Sequence, residues 1–308
     1  MAGPWRILVS DRLAESGMTI LQQGAEVILD DPSALGTVDA WIVRSRTRVD
    51  GPSLDAATPR LRVVGRAGVG VDNIDLEAAR REKVVVVSAP EASTIAVAEL
   101  TLALMLALAR QIPASDAALR RGEWPKGKLE GTELHGKTLG LVGIGRIGRA
   151  VAERAAALGM AVIAYDPYLA EAMIRASGAQ PAQLDALLAA SDYVSLHLPL
   201  TDETRHIIGP EVIARMKRGA RLICAARGGL IDEPALLAAL EEQRLAGAAL
   251  DVFQHEPPGE NPLLRHPHVV ATPHLGAQTA EAQARVSLDI ASEVLAALRG
   301  DPLRWRVV

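Results

Sequence analysis

The chain has 308 residues, enough for two ordinary domains, and a formal net charge of -4, which offers no broad basic surface to nucleic acid or a membrane. Hydrophobic residues make up 49% and aromatics only 3%, so the core must be aliphatic. The single cysteine, Cys224, excludes an intramolecular disulfide and fits a reducing compartment.

The N-terminus, Met1 to Arg6, shows no secretory signal pattern, and a cytoplasmic location is expected. Five strand-like runs follow: Ile7–Val9, Glu26–Leu29, Ala40–Val43, Leu61–Val64 and Val84–Val87. Ala96–Ala109 is a nearly all-apolar helix. It is shorter than the roughly 20 residues a membrane span needs, and Glu99 interrupts it, so it is expected to be buried between domains or against a second subunit. Six further runs come after it: Thr138–Val142, Ala161–Tyr165, Tyr193–Leu196, Arg221–Ile223, Ala248–Leu250 and Val269–Ala271. Helical patterns at Pro181–Ala190 and Glu233–Arg244 fill gaps, and Ala280–Arg299 is a last helix expected to return to the first domain. Runs apolar on both faces, separated by helices, predict two doubly wound parallel-sheet α/β domains.

Gly143, Gly145 and Gly148 form G-x-G-x-x-G between a strand and a helix, the pattern that cradles a dinucleotide pyrophosphate at a helix N-terminus. Asp166 ends the next strand, where a carboxylate meets ribose hydroxyls and repels a 2′-phosphate, so NAD is expected over NADP. An Asp that merely caps a turn is the alternative.

Hydride exchange with a 2-keto acid needs a cation, a proton-exchanging group and something to orient it. Arg227, Glu256 and His274 each follow a strand, at the edge where open α/β sheets bind ligands. His255, His266 and His268 match no metal-site spacing, so no metal is expected. Arg44, Arg46 and Arg48 follow another strand, and alternation would aim Arg44 and Arg46 the same way if that strand continued. Lys126 and Lys128 are further cations without an assigned place.

VVGRAGVGVDNID (63–75), ELHGKTLGLVGIGRIGR (133–149), HLPLTDETRHII (197–208), ARGGLIDE (226–233), LDVFQHEPP (250–258) and ATPHLGAQTAEA (271–282) follow in order. Together they resemble the D-isomer-specific 2-hydroxyacid dehydrogenase family over essentially the whole chain, most closely its phosphoglycerate-oxidising branch. The resemblance implies a Rossmann NAD-binding domain at 96–282, inserted into a flavodoxin-like substrate domain at 1–95 and 283–308. It implies catalysis by Arg227, Glu256 and His274, and NAD contacts at Val69, Gly143, Gly145, Arg146, Ile147, Gly148, Asp166, Leu198, Ala225, Asp251, Gly276 and Ala277. Substrate contacts would fall on Arg44, Ser45, Val69, Gly70, Arg227 and His274. The expected reaction is NAD-dependent oxidation of D-3-phosphoglycerate to 3-phosphohydroxypyruvate, in serine biosynthesis, by a homodimer or tetramer with no nucleic-acid or membrane partner. With no room for a C-terminal regulatory domain after the last helix, serine feedback is not expected.

Rival readings are a glyoxylate, hydroxypyruvate or other D-2-hydroxyacid reductase, and a non-enzymatic NAD(H)-sensing corepressor-like protein. The formate branch usually carries Gln where Glu256 stands. Two departures touch the pocket: Ala92-Ser93-Thr94-Ile95-Ala96 replaces the usual Gly-Asn-Thr-x-Ser, and Cys224 stands where Asn is common.

Overall fold

The computed structural model describes residues 4–308. The chain divides into two compact units: one ends at Ala96 and resumes at Ala277, and the other is Val97–Gly276.

In the first unit, β1 (Trp5–Val9), β2 (Ala25–Leu29), β3 (Ala40–Val43), β4 (Val63–Arg66) and β5 (Val85–Ser88) form a parallel sheet in the order β2-β1-β3-β4-β5. This is the flavodoxin-like winding, whose order reverses between β1 and β3 and opens a crevice at the carboxyl edge there. Alternate residues bury opposite faces: Ile7, Ile42, Val63 and Val87 in one aliphatic cluster, Leu8, Val43, Val64 and Val86 in the other.

The Ala280–Arg299 helix covers one of those faces. Thr279 caps it by accepting from the Ala282 N–H at 3.1 Å, and Gly300 ends it in the left-handed region at φ 80°. Val286, Ile290 and Val294 are buried along it, so close that a Cβ on Gly65 would lie 2.5 Å from Val294 Cγ2. The chain then runs antiparallel beside β5, where the Val307 N–H donates to Val86 O at 2.7 Å, and this closes an otherwise open sheet edge.

In the second unit, β6 (Thr138–Val142), β7 (Ala161–Tyr165), β8 (Gln180–Pro181), β9 (Tyr193–Leu196), β10 (Arg221–Cys224), β11 (Gly247–Leu250) and β12 (Val269–Ala271) run parallel in the order β12-β11-β10-β9-β6-β7-β8. Six of these follow the dinucleotide-binding order, with β12 added at one edge. Seven strands stand where six are expected. The extra one, β8, is two residues long and has no apolar run to announce it; it exists through pairing with Ile163 and Ala164. Pro181, expected to open a helix, ends this edge strand, a position that tolerates a missing N–H, and the helix starts at Leu184. Among the described residues no single helix is long and apolar enough to cross a membrane.

Candidate active site

The glycine turn joins β6 to the helix Arg146–Ala157. Gly143 has φ 91°, and a Cβ there would lie 2.6 Å from His197 O; one on Gly148 would lie 2.6 Å from Gly143 O. Both are glycines because the protein leaves them no room. Gly145 is different. As the N-cap of the helix it would carry a Cβ into space with no protein atom within 4 Å. An open cradle at the N-terminus of a twelve-residue helix fits a pyrophosphate lying against the backbone.

Asp166, at the end of β7, accepts from the Ile144 N–H through Oδ2 and from the Tyr168 N–H through Oδ1, both at 3.0 Å. It therefore does cap a turn, and the turn is the glycine loop itself. A carboxylate has roughly four acceptor sites, so two remain for ribose hydroxyls. Behind this loop, His197 Nε2 lies 3.0 Å from Ser195 Oγ, and loss of water around the ring pushes its pKa down to about 4.

Arg227, Glu256 and His274 lie beyond β10, β11 and β12, neighbouring strands whose carboxyl ends share one edge. Asp251, buried directly after β11, organises that edge. Its Oδ1 accepts from Thr272 Oγ1 at 2.6 Å and the Leu275 N–H at 2.7 Å, its Oδ2 from the Gly276 N–H at 2.8 Å, and its carbonyl from the His274 N–H at 2.8 Å. Burial raises its pKa against the pull of those bonds. These ties hold His274 at φ 55°, a left-handed conformation that a non-glycine residue adopts only when its surroundings impose it.

So held, His274 Nδ1 lies 2.7 Å from Glu256 Oε2. A carboxylate can only accept, so the ring donates through Nδ1 and Nε2 is left to exchange a proton. Burial acts to raise the Glu256 pKa. The hydrogen bond and charge of His274, the Phe253 N–H on Oε1 at 3.1 Å and the Arg227 charge outweigh it, and the pKa is lowered. Glu233 anchors the same loop, accepting from the Gln254 N–H at 2.6 Å and Asn261 Nδ2 at 2.7 Å.

The arginine loop is packed as tightly. A Cβ on Gly228 would fall 1.7 Å from Phe253 O, so Gly228 lets the Arg227 and Glu256 loops touch. Arg227 Nη1 donates to Ala226 O at 2.6 Å. Cys224 donates its Sγ–H to Arg227 O at 3.5 Å, and burial pushes the thiol up to about 11. The cysteine thus supports the arginine loop from its buried side. Leu198 and Ala225 follow β9 and β10.

Arg44, Ser45, Val69, Gly70 and Ala277 belong to the first unit. β3 stops at Val43, so the strand alternation expected to align Arg44 with Arg46 does not apply. Arg46 Nε instead pairs with Asp11 Oδ1 at 2.9 Å, and Arg44, Ser45 and Arg46 all line a cavity of about 670 Å³. The sequence reading missed Thr272, Glu233 and Asp11. Thr272 and Asp11 signal only as polar residues just past a strand, and Glu233 only as an acidic first residue of a helix.

Residues 102–276 match the family described as D-isomer specific 2-hydroxyacid dehydrogenase, NAD binding domain. The chain is 47% identical over 304 residues to the D-3-phosphoglycerate dehydrogenase of Methanocaldococcus jannaschii, covering 96% of this chain and 58% of that protein. It spans about half to three-fifths of the length of the curated relatives it matches. Among solved structures, a Thermus thermophilus protein superposes with a TM-score of 0.89 at 38% identity, over 98% of this chain and 100% of that one. A glyoxylate reductase from Paecilomyes thermophila gives 0.90 at 32% identity, over 99% of each.

Proposed function

Since the chain belongs to the D-isomer specific 2-hydroxyacid dehydrogenase family, we propose that it oxidises D-3-phosphoglycerate to 3-phosphohydroxypyruvate with NAD, a step of serine biosynthesis. The observation that carries the chemistry is the 2.7 Å pair of His274 and Glu256 on the sheet edge that also bears Arg227. The substrate is supported by the phosphoglycerate dehydrogenases among the relatives and by the cavity that Arg44 and Ser45 line.

Arg227, with the backbone of Val69 and Gly70, holds the substrate carboxylate and polarises the C2 oxygen. His274 takes the C2 hydroxyl proton on Nε2 during oxidation, and as imidazolium it returns that proton in reduction. Glu256 stabilises the imidazolium and keeps its tautomer. The turn at Gly143, Gly145 and Gly148, with Arg146, Ile147 and Asp166, holds NAD, which when bound accepts the hydride from C2. Val69, Leu198, Ala225, Asp251, Gly276 and Ala277 complete its contacts. We assign Asp251 a second role, as the residue that positions His274.

The working form is a homodimer in the cytoplasm. Leu106, Ile112, Leu119 and Trp124, exposed in the second unit, support an association surface there.

A steady-state panel tests the reading: 3-phosphoglycerate, D-lactate, D-glycerate and glyoxylate, each with NAD(H) and NADP(H). The phosphorylated acid with NAD should give the highest kcat/KM. If glyoxylate leads by about 100-fold, worth ~2.7 kcal/mol, the protein is a reductase of another acid. Absence of turnover with all of them favours an NAD(H)-sensing role. His274→Ala should lose turnover far more than NADH binding.

A further inference from the structure

The turn after β3 is gripped from two sides. Asp11, on the loop after β1 and 5% exposed, accepts through Oδ2 from the Arg44 N–H at 2.6 Å and the Thr47 N–H at 3.3 Å. From the other side, Asn73 donates through Nδ2 to Arg44 O at 2.7 Å and Thr47 O at 2.6 Å. Two side chains thus hold the N–H and the carbonyl at both ends of a four-residue turn.

The same carboxylate gives the two arginines different partners. Asp11 Oδ1 takes Arg46 Nε at 2.9 Å, and Arg46 Nη2 donates to Ser10 O at 2.9 Å and lies 3.6 Å from Asp30. Although 72% exposed, the Arg46 guanidinium is committed to protein acceptors. The Arg44 side chain makes one long contact, Nη1 to Arg12 O at 3.5 Å, and lines the cavity at the β1/β3 crevice with Arg12, Ser45 and Arg46 itself. That crevice is where a sheet of this winding binds its ligand.

On the reading that the substrate is phosphorylated, we propose that Asp11 and Asn73 are positioning residues that hold Arg44 and Ser45 toward the substrate phosphate. Asp11 also engages the Arg46 guanidinium, so that its charge is taken up by the protein rather than by the phosphate. A turn fixed before binding spares the ligand the cost of ordering it, so the effect falls on affinity for the phosphorylated group. Asn73 also lies three residues after Gly70 and ties the segment proposed to hold the substrate carboxylate to the segment proposed to hold the phosphate.

The test compares Asp11→Asn, Asn73→Asp and Arg46→Gln in the full chain with NAD, on 3-phosphoglycerate and on D-glycerate. Asp11→Asn and Asn73→Asp should each raise KM for 3-phosphoglycerate by about tenfold, with kcat and the KM for D-glycerate held within about threefold. Arg46→Gln, a surface change that leaves folding intact, should stay within about threefold on both substrates. An equal loss on both substrates, or a loss in kcat alone, overturns the positioning role, and so does a tenfold rise in KM from Arg46→Gln. If Asp11→Asn does not fold, Asn73→Asp and Arg46→Gln decide the matter. A wild type that prefers D-glycerate overturns the substrate reading and this inference together. A preference for the phosphorylated acid that survives both clamp variants overturns this inference alone.

Discussion

Replacing Glu256 with Gln removes one negative charge and leaves an oxygen that still accepts from His274 Nδ1, so the ring keeps its tautomer while its imidazolium loses a counter-charge. The two side chains are 42% and 36% exposed, which places the 2.7 Å pair between protein interior and water. With charge centres ~4 Å apart and an effective dielectric of ~40, Coulomb attraction is ~2 kcal/mol after solvent screening. Oxidation builds the imidazolium in its transition state, so Glu256→Gln should lower kcat for oxidation of the proposed substrate about 30-fold. NADH absorbance in single-turnover and steady-state runs reads the rate, and NADH fluorescence titration reads cofactor affinity, which should stay within about twofold. A loss below about threefold would show that the carboxylate only orients the ring. A parallel loss of NADH affinity would show that the variant damages the site as a whole.

Three further outcomes follow from the geometry. His197, neutral when folded with a pKa of about 4 against 6.5 for an ordinary histidine, is protonated below pH 6.5 only in the unfolded chain. Stability should therefore fall as pH drops from 6.5 toward 4, by up to ~3 kcal/mol from this group, and His197→Gln should flatten that part of the urea-unfolding profile. Gly228→Ala drives a Cβ to 1.7 Å from Phe253 O, so it should destabilise the fold by ~3 kcal/mol or more and abolish turnover by displacing the Glu256 loop; a near-normal melting midpoint would show that the loops move apart cheaply. Gly145→Ala meets no protein atom and should leave stability within ~1 kcal/mol while weakening NADH binding about tenfold or more; unchanged binding would mean that the cofactor does not lie against this residue.

How much of this is legible without a structure depends on how local the physics is. Strands buried on both faces need apolar side chains at successive positions, so β1 to β7 and β9 to β12 are all visible in the chain within a residue or two at most ends. β8 carries no such run and depends on pairing with β7 alone. The glycine turn is legible because its conformational demands fall on residues a few positions apart, and Arg227, Glu256 and His274 are legible as chemical types placed after strands. Arg46 shows where that ends: strand alternation cannot foresee that β3 stops at Val43, or that a carboxylate 35 residues earlier claims the guanidinium.

By itself, the amino-acid order determines two doubly wound sheets, a dinucleotide turn and three chemical groups at sheet edges, because periodicity and turn chemistry act between near neighbours. Tertiary structure alone decides that His274 meets Glu256, that Asp251 holds the histidine loop, that Gly228 makes room for Phe253, and that Asp11 and Asn73 clamp one turn. Each of these joins residues from different strands or loops, and their separation is set by strand order and packing that no local pattern records.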